Sequence, residues 1–372
     1  MSTDEIYTSA AADSSVLPFG ASRALMLLSQ LLLAHDISEP EALANITPEE
    51  FEEMVELAKS HHVIMRAMPR FFEVVSRAGD LERSRWANEA LRQEQLRIEN
   101  AVSFLQKICV ALEAAGCQVV VIKSLDHWPD LGSDLDLYTD AAPTDVIALM
   151  RSGFQAQLAA RSWGDRMANK WNFEIPGLPE AVEVHMRRLG QTGEQASIAR
   201  AVIGNARSVR VGDRAFRVPS AEVRLMICTL QRMYRHFYAR LCDLVDTAEL
   251  LETRGVDYDR LRSAAQKAGI WEGVATFLTI TSDYVKYFRG HGLSLPSSVT
   301  SAARFGGDQV RFNKGFLRVP ILPHSAKLYA SQLTNLMAQG ELKNAARLSM
   351  LPCLAAAAAV QYKVTGSDKG IW

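Results

Sequence analysis

The 372-residue sequence has no CxxC pair, no excess of either charge and no apolar run long enough to cross a bilayer. Its five cysteines, Cys109, Cys117, Cys228, Cys242 and Cys353, are odd in number and widely spaced. That argues against a disulfide framework or a zinc knuckle and fits a reducing compartment. Lys and Arg total 41 against 42 Asp and Glu, a formal net charge of −1. A strongly basic nucleic-acid binder is thereby disfavoured, although a local basic cleft is still compatible. The opening MSTDEIYTSAAADSS lacks both a basic n-region and an apolar h-region, so residues 1–16 read as a disordered lead and not as a secretory signal. The stretches 24–34 and 351–360 are apolar but fall short of the about 20 residues that a span requires. Both are expected as buried helices, no membrane partner is expected, and the cytoplasm is the expected location.

Hydrophobic residues make up 48% and charged residues 22%, the mix of a soluble globular chain, and the length suggests two packed units. Residues 17–116 read as helical. Thr47 stands before Pro48, Glu49 and Glu50, a capped helix start with proline at the first position. From Glu82 to Ala115 apolar residues recur at helical spacing, and Gly116 takes the usual C-terminal place. Strands are expected at Cys117–Ile122, Asp134–Tyr138 and Ala181–Met186, with a helix over Pro143–Ser152. Ser208–Val218 reads as a hairpin turning at Gly212-Asp213. Helices return after Ser220, expected to cap them, through Asp257–Ala268 and Trp271–Phe288. The region 290–318 reads as an irregular connection, and Ser325–Tyr362 is again helical. The expected class is α+β: an N-terminal helical region at 17–116, a small mixed-sheet core at 117–219, a helical region at 220–290 completing a cleft, and a C-terminal helical extension at 291–372.

Chemistry concentrates on two of these strands. Side chains two apart in a strand share a face, so Asp134 and Asp136 point one way while Leu135 and Leu137 point the other. Glu183 and His185 share a face of AVEVHM by the same rule. If the two strands are neighbours, three carboxylates meet. With nothing basic between them they repel strongly unless divalent cations sit among them. Carboxylate oxygens suit magnesium, and a pair of ions can be bridged by such a set. An Asp-x-Asp strand can also be no more than a solvated face.

Residues Ile122–Tyr138 (IKSLDHWPDLGSDLDLY), followed by VEVHM at 182–186, resemble the nucleotidyltransferase superfamily that includes DNA polymerase β. The likeness is closer to a bacterial branch of nucleotidyltransferase-like proteins and covers about residues 45–285. The resemblance implies a nucleotidyltransferase-type sheet with Asp134 and Asp136 as paired metal ligands. Glu183 would be the third ligand and could accept the attacking hydroxyl's proton. It further implies that Lys123 and Ser124 contact phosphate, that His185 matches the branch's histidine, and that His236, Asp243 and Asp246 fall where the branch carries a histidine and acids. Ser124 stands where the branch usually has glycine, and Gly132-Ser133 replaces an expected arginine; Ser133, with His185 and His236, is taken as nucleotide-binding. The implied cofactor is Mg2+, two ions, with Mn2+ as an alternative. The implied substrate is a nucleoside triphosphate, its monophosphate passing to a small-molecule or protein acceptor with loss of pyrophosphate. The alternative is an inactive nucleotide-binding or regulatory module. A glycosyltransferase reading of Asp134-Leu135-Asp136 lacks the alternating strands and helices upstream that would bind its nucleotide.

Other residues carry paired readings. His61 and His62 are adjacent, face different sides of a helix and are expected to be structural. Tyr234, Arg235 and His236 are candidates to reach phosphate or base. Arg240, Asp243 and Asp246 could instead form a salt-bridge lattice between helices. Arg161, Arg166, Lys170, Arg187 and Arg188 are either a basic rim or a solvated surface. Trp128 is a base-stacking or a packing residue.

Overall fold

The computed structural model describes residues 18–36, 40–253 and 255–365. The expected disordered lead at 1–16 lies outside them. Helices α1 (Arg23–Leu33), α2 (Pro40–Ala44), α3 (Pro48–Ser60), α4 (Ile64–Arg77) and α5 (Leu81–Ala114) come first. The reciprocal Thr47 and Glu50 hydrogen bonds at the start of α3 form the cap that the sequence predicts. The apolar stretch at 24–34 is α1, with Leu25, Leu28 and Leu31 fully buried. Among the described residues no helix is long and apolar enough to cross a membrane.

A five-stranded mixed sheet follows, ordered β1-β2-β5-β4-β3. Its strands are β1 (Val119–Val121), β2 (Asp134–Thr139), β3 (Gln157–Leu158), β4 (Lys170–Ile175) and β5 (Leu178–Met186), with helices α6 (Pro143–Phe154) and α7 (Trp163–Ala168) inserted between them. The expected strand pair is adjacent: β2 and β5 run parallel, with Asp136 opposite Glu183 and Tyr138 opposite His185. The strands β3 and β4 escape the sequence reading, although Trp171, Phe173 and Ile175 alternate with Lys170, Asn172 and Glu174 as in a half-buried strand. After α8 (Ala196–Gly204), the strands β6 (Arg207–Val211) and β7 (Arg214–Val218) form the expected hairpin.

The return to helix begins with α9 (Ala221–Thr229), where Ser220 is at the cap position but its hydroxyl bonds nothing among the described residues, a correction to the expected cap. One π-helical turn over Leu230–Arg235 follows, closed by the His236 N–H donating 2.8 Å to the Gln231 carbonyl. Then come β8 (Tyr238–Ala239), α10 (Leu241–Thr253), α11 (Tyr258–Lys267), α12 (Trp271–Arg289) and α13 (Ser297–Thr300). The region expected to be irregular carries a hairpin of β9 (Arg311–Asn313) and β10 (Phe316–Arg318), which joins β8 in a three-stranded sheet. Helices α14 (Ala326–Ala338), α15 (Leu342–Leu348) and α16 (Leu351–Thr365) end the described chain.

Among the described residues two large apolar cores result, with a smaller cluster of Leu336, Ala345 and Leu348 in the C-terminal helices. One gathers the N-terminal helices and α9–α12. The other lies against the sheet, where Ile98, Leu105 and Leu112 from the second half of α5 meet Leu135, Leu137, Val182 and Val184. Burying such a side chain contributes roughly 1.5–3 kcal/mol. This buried face orients the opposite one, so the carboxylates of β2 and β5 turn toward the helices that follow the sheet.

Candidate active site

The carboxylate face of β2 and β5 is the floor of a cleft of about 200 Å³. Lys123, Ser124, Ser133, Asp134, Asp136 and Glu183 line it, with His236 opposite. His185 borders the adjoining cavity, so the structure brings all eight sequence candidates to one region. Oxygen and nitrogen atoms of Asp136, Glu183 and His185 lie within 4.8 Å of one another, a set able to hold a metal ion. Asp134 stands two residues along the same face, open to solvent at its edge while its carboxyl sits within the cleft. Burial of its carboxyl, then repulsion from Asp136 and Glu183, raises the Asp134 pKa.

The expectation that nothing basic lies between the carboxylates is corrected. A base does lie between the carboxylates: Lys123 Nζ donates to Asp136 Oδ1 and, at 3.1 Å, to Glu183 Oε1. Lys170 Nζ holds Glu183 Oε2 at 2.8 Å and Asp165 Oδ1 at 2.8 Å, while His185 Nε2 lies 2.7 Å from Glu183 Oε1. Burial opposes ionisation of Glu183, but Lys123, His185 and Lys170 together hold its pKa well below the usual range. Burial likewise opposes the Lys123 charge, and Asp136 and Glu183 outweigh it to raise its pKa. Neither lysine was legible as a partner, because Lys123 is distant in sequence and Lys170 lies on an unread strand.

Lys123 reaches this position through an unusual backbone. Its φ of 61° and ψ of −59°, with the Ser124 N–H donating 2.6 Å to the Ile122 carbonyl, form a γ-turn of the rare positive-φ kind. Strain of this type costs roughly 1–3 kcal/mol and persists where the surroundings enforce it. Here Ser124 enforces it: its Oγ accepts the Asp136 N–H at 2.7 Å and donates to the Asp134 carbonyl at 3.1 Å, clasping the turn to β2. The Ser124 hydroxyl expected at a phosphate is therefore engaged with backbone.

The loop between this turn and β2 is tied on three sides. Asp130 accepts from the Met65 N–H at 2.7 Å and from Arg66 Nε at 2.9 Å. Arg97 of α5 donates to the Leu131 carbonyl at 2.9 Å, and Arg224 Nε pairs with Asp126 at 2.5 Å. Arg66 reaches on to Asp246 at 2.6 Å, and His127 Nδ1 bonds the other Asp246 oxygen. Cys242 Sγ lies 3.8 Å from His127 Nε2, which makes His127, Cys242 and Asp246 a second group of close donors. Arg232 Nε meets Asp243 at 2.7 Å. The salt-bridge reading of Asp243 and Asp246 thus describes this wall.

The roof of the cleft carries Gln231, Arg232, Arg235, Tyr238 and Arg240. The π-helical turn shifts the helical register there, so spacing alone could not assign these side chains to one face; such turns often accompany functional sites. Three guanidinium groups, of Arg318, Arg232 and Arg240, stand 5.1–5.9 Å from the Tyr238 ring centre. Burial, then Arg235, lowers the His236 pKa to about 2, so its imidazole is neutral. His61 accepts from the Leu241 N–H and contacts the Gly315 carbonyl, both at 2.8 Å, which is the structural role expected. His62 also borders the cleft and is neutral, its pKa lowered to about 2 by burial and then by Arg240.

Of the two readings of the basic cluster, a rim or a solvated surface, the structure does not form the rim. Arg161, Arg166, Arg187 and Arg188 are absent from the cleft lining, and Lys170 is buried beneath it. Arg161 stacks on Trp171 at 3.8 Å, and Arg187 donates to the Asp140 carbonyl beyond the far end of β5. Trp128 also lies outside the lining.

Comparison with known families finds one described as an uncharacterised nucleotidyltransferase family, whose model matches residues 47–286. No curated protein matches the chain in sequence.

Proposed function

The chain belongs to this nucleotidyltransferase family, and on that premise we propose that it transfers a nucleoside monophosphate from a nucleoside triphosphate to a hydroxyl acceptor, aided by magnesium. The observation that carries the reading is the register of β2 against β5. It sets Asp136 beside Glu183, with Asp134 and His185 on the same face. The carboxylate oxygens are hard donors that fit magnesium or manganese. The lysine now bridging Asp136 and Glu183 marks where positive charge is needed. Asp134, Asp136 and Glu183 would hold two such ions, which when bound supply charge at the phosphates and acidify the acceptor hydroxyl.

The cleft also fits the donor. Arg235 and Arg240 line it with the carboxylates and match a triphosphate in charge, and Tyr238 offers a flat face to a base. Ser133 and its backbone neighbours border the phosphate end. In the reaction the acceptor oxygen bonds to the α-phosphorus while the bond from that phosphorus to the bridging oxygen breaks. Pyrophosphate leaves, and the hydroxyl proton passes to the Glu183 carboxylate. Lys123 turns from the carboxylates toward the departing phosphates, where a compact cation stabilises developing charge.

A second reading, an inactive nucleotide-binding module, draws support from the same lysine, since a settled Lys123 pair would keep cations out. The purified protein, incubated with labelled ATP, GTP, CTP or UTP and a cell extract, separates the two. Transferase action predicts magnesium-dependent label transfer and pyrophosphate release by the wild type and none by Asp134→Ala. Equal labelling by both proteins would remove the site; binding without pyrophosphate release would favour the module.

A further inference from the structure

The small sheet of β8, β10 and β9 has one apolar and one charged face. Ala239 pairs with Leu317 and Leu317 with Phe312, and this row turns inward, with Ala239 and Leu317 buried. Tyr238 pairs with Arg318 and Arg318 with Arg311, so these three share the opposite face. Phe316, two residues before Arg318, joins them, its ring centre 4.4 Å from that of Tyr238. The Arg318 guanidinium lies 5.1 Å from the Tyr238 ring centre and 5.6 Å from that of Phe316, and Arg240 lies 5.9 Å from each. Lys314, exposed in the turn between β9 and β10, adds a further cation.

Nothing on this face neutralises that charge. Arg311 and Arg318 stand directly opposite each other in an antiparallel pair, where like charges destabilise. Each reaches only backbone carbonyls: Arg318 Nε donates 3.2 Å to Asn313, and Arg311 donates to Asp308 and Val310. The Asp308 carboxylate accepts instead from Gln309 at 2.6 Å. Arg240 meets Asp243 only through its backbone N–H. Among the described residues, then, none of the four cations holds a carboxylate with its side chain. They span three strands, roughly 10 Å, which is more than one phosphate group requires.

Charge and shape together select the partner. Guanidinium forks fit phosphate oxygens two at a time. Aromatic rings and guanidinium planes are the surfaces on which unpaired bases stack. An acidic peptide would use the cations and leave the rings idle, and a duplex would hide its bases. We infer that this sheet face docks a single-stranded nucleic acid, its phosphates along Arg240, Arg318 and Arg311 and its bases against the neighbouring rings and guanidinium planes. The net charge of −1 does not oppose this, because screening confines each charge to about 8–10 Å and the face is locally basic. Tyr238 and Arg240 also line the carboxylate cleft, so a strand on this face leads into it. The β9–β10 hairpin lies beyond the matched residues 47–286, so the face is completed from outside the family segment. The inference stands on the sheet and not on the transferase reading; the two meet where the strand's end would be the acceptor hydroxyl.

The probe is fluorescein-labelled decauridylate, followed by fluorescence anisotropy with the full chain in EDTA and no other nucleotide. Binding should weaken about twenty-fold between roughly 50 and 200 mM salt, the slope for three neutralised phosphates of a single strand. Arg318→Gln should weaken it about ten-fold and leave the melting temperature equal or higher, because one of two opposed like charges is gone. Phe316→Leu should weaken it about ten-fold with the salt slope unchanged. Lys314→Asn suits the positive φ of 51° in the turn, and should weaken binding about three-fold even if the two strand variants fold poorly. Unlabelled decauridylate should displace the probe at least ten-fold better than inorganic polyphosphate or poly-glutamate of equal charge. Equal displacement by polyphosphate would reduce the face to a patch of charge, and by poly-glutamate would make its partner an acidic protein; either overturns the inference. So would absence of binding at low salt, or unweakened binding by all three variants. A chain that binds decauridylate but releases no pyrophosphate from Mg·ATP would keep this surface and lose the transferase reading, so the two fail separately.

Discussion

Replacing Lys123 by methionine tests the charge logic of the site directly. The ammonium group bonds Asp136 and Glu183, and both carboxylates are largely shielded from solvent. Glu183 keeps Lys170 and His185 when Lys123 is removed, so the loss falls chiefly on Asp136. Breaking a buried ion pair by deleting one partner costs about 3–5 kcal/mol, and the lower end applies where one carboxylate stays paired. With an unfolding entropy of about 2.1 cal/mol/K per residue, a loss of about 3 kcal/mol lowers the melting temperature of a chain this long by roughly 4 °C. Differential scanning calorimetry in EDTA should show that drop.

Magnesium should then reverse it. The vacated carboxylates form a stronger cation site than in the wild type, and an ion at a hundred-fold excess over its dissociation constant adds about 2.7 kcal/mol. Millimolar magnesium should therefore raise the melting temperature of Lys123→Met by more than that of the wild type. Identical melting of the two proteins in EDTA, or a variant indifferent to magnesium, would refute the reasoning.

Asp136→Asn removes a proposed ligand, and pyrophosphate release from Mg·ATP should fall roughly 10²–10³-fold, the effect of several kcal/mol of lost charge stabilisation. Arg66→Met leaves Asp130 and Asp246 without their shared cation, and urea titration should show a loss of about 3–5 kcal/mol. Burial lowers the His61 pKa from 6.5 to about 4, so its contribution to stability is complete above pH 6.5 and fades as pH falls toward 4. Near pH 5 the loss should be about 2 kcal/mol, and it should be missing from His61→Gln when unfolding curves at pH 7 and pH 5 are compared.

The parts of this molecule that follow local rules were legible. Alternation in DLDLY and VEVHM put the acids on one face, and the Thr47-Glu50 cap and the Gly212-Asp213 turn are set by neighbours in the chain. Other features depend on residues far apart. The alternation of KWNFEI is itself a strand signal, but its partner is not given by the chain locally: Lys170 neutralises Glu183 across the sheet. A single π-helical turn changes which side of the chain Arg232, Arg235 and Tyr238 present, and no residue type in LQRMYR announces it. The β9–β10 hairpin likewise exists by pairing with Tyr238 and Ala239, more than seventy residues upstream.

Three acids on adjacent strands demand positive charge, and that demand holds whichever cation meets it. The fold meets it with Lys123, carried on a strained turn that Ser124 clasps against the same strand. A lysine tethered in this way can leave when a stronger cation arrives, because its chain is flexible and its turn borders the cleft. Metal entry and phosphate binding then become linked: the cation that displaces the ammonium frees it for the triphosphate arriving opposite. Weakening the clasp by Ser124→Ala should therefore loosen Lys123 and lower nucleotide affinity even though the serine hydroxyl touches only backbone. Unchanged Mg·ATP binding by that variant would show that the turn and the carboxylates act independently.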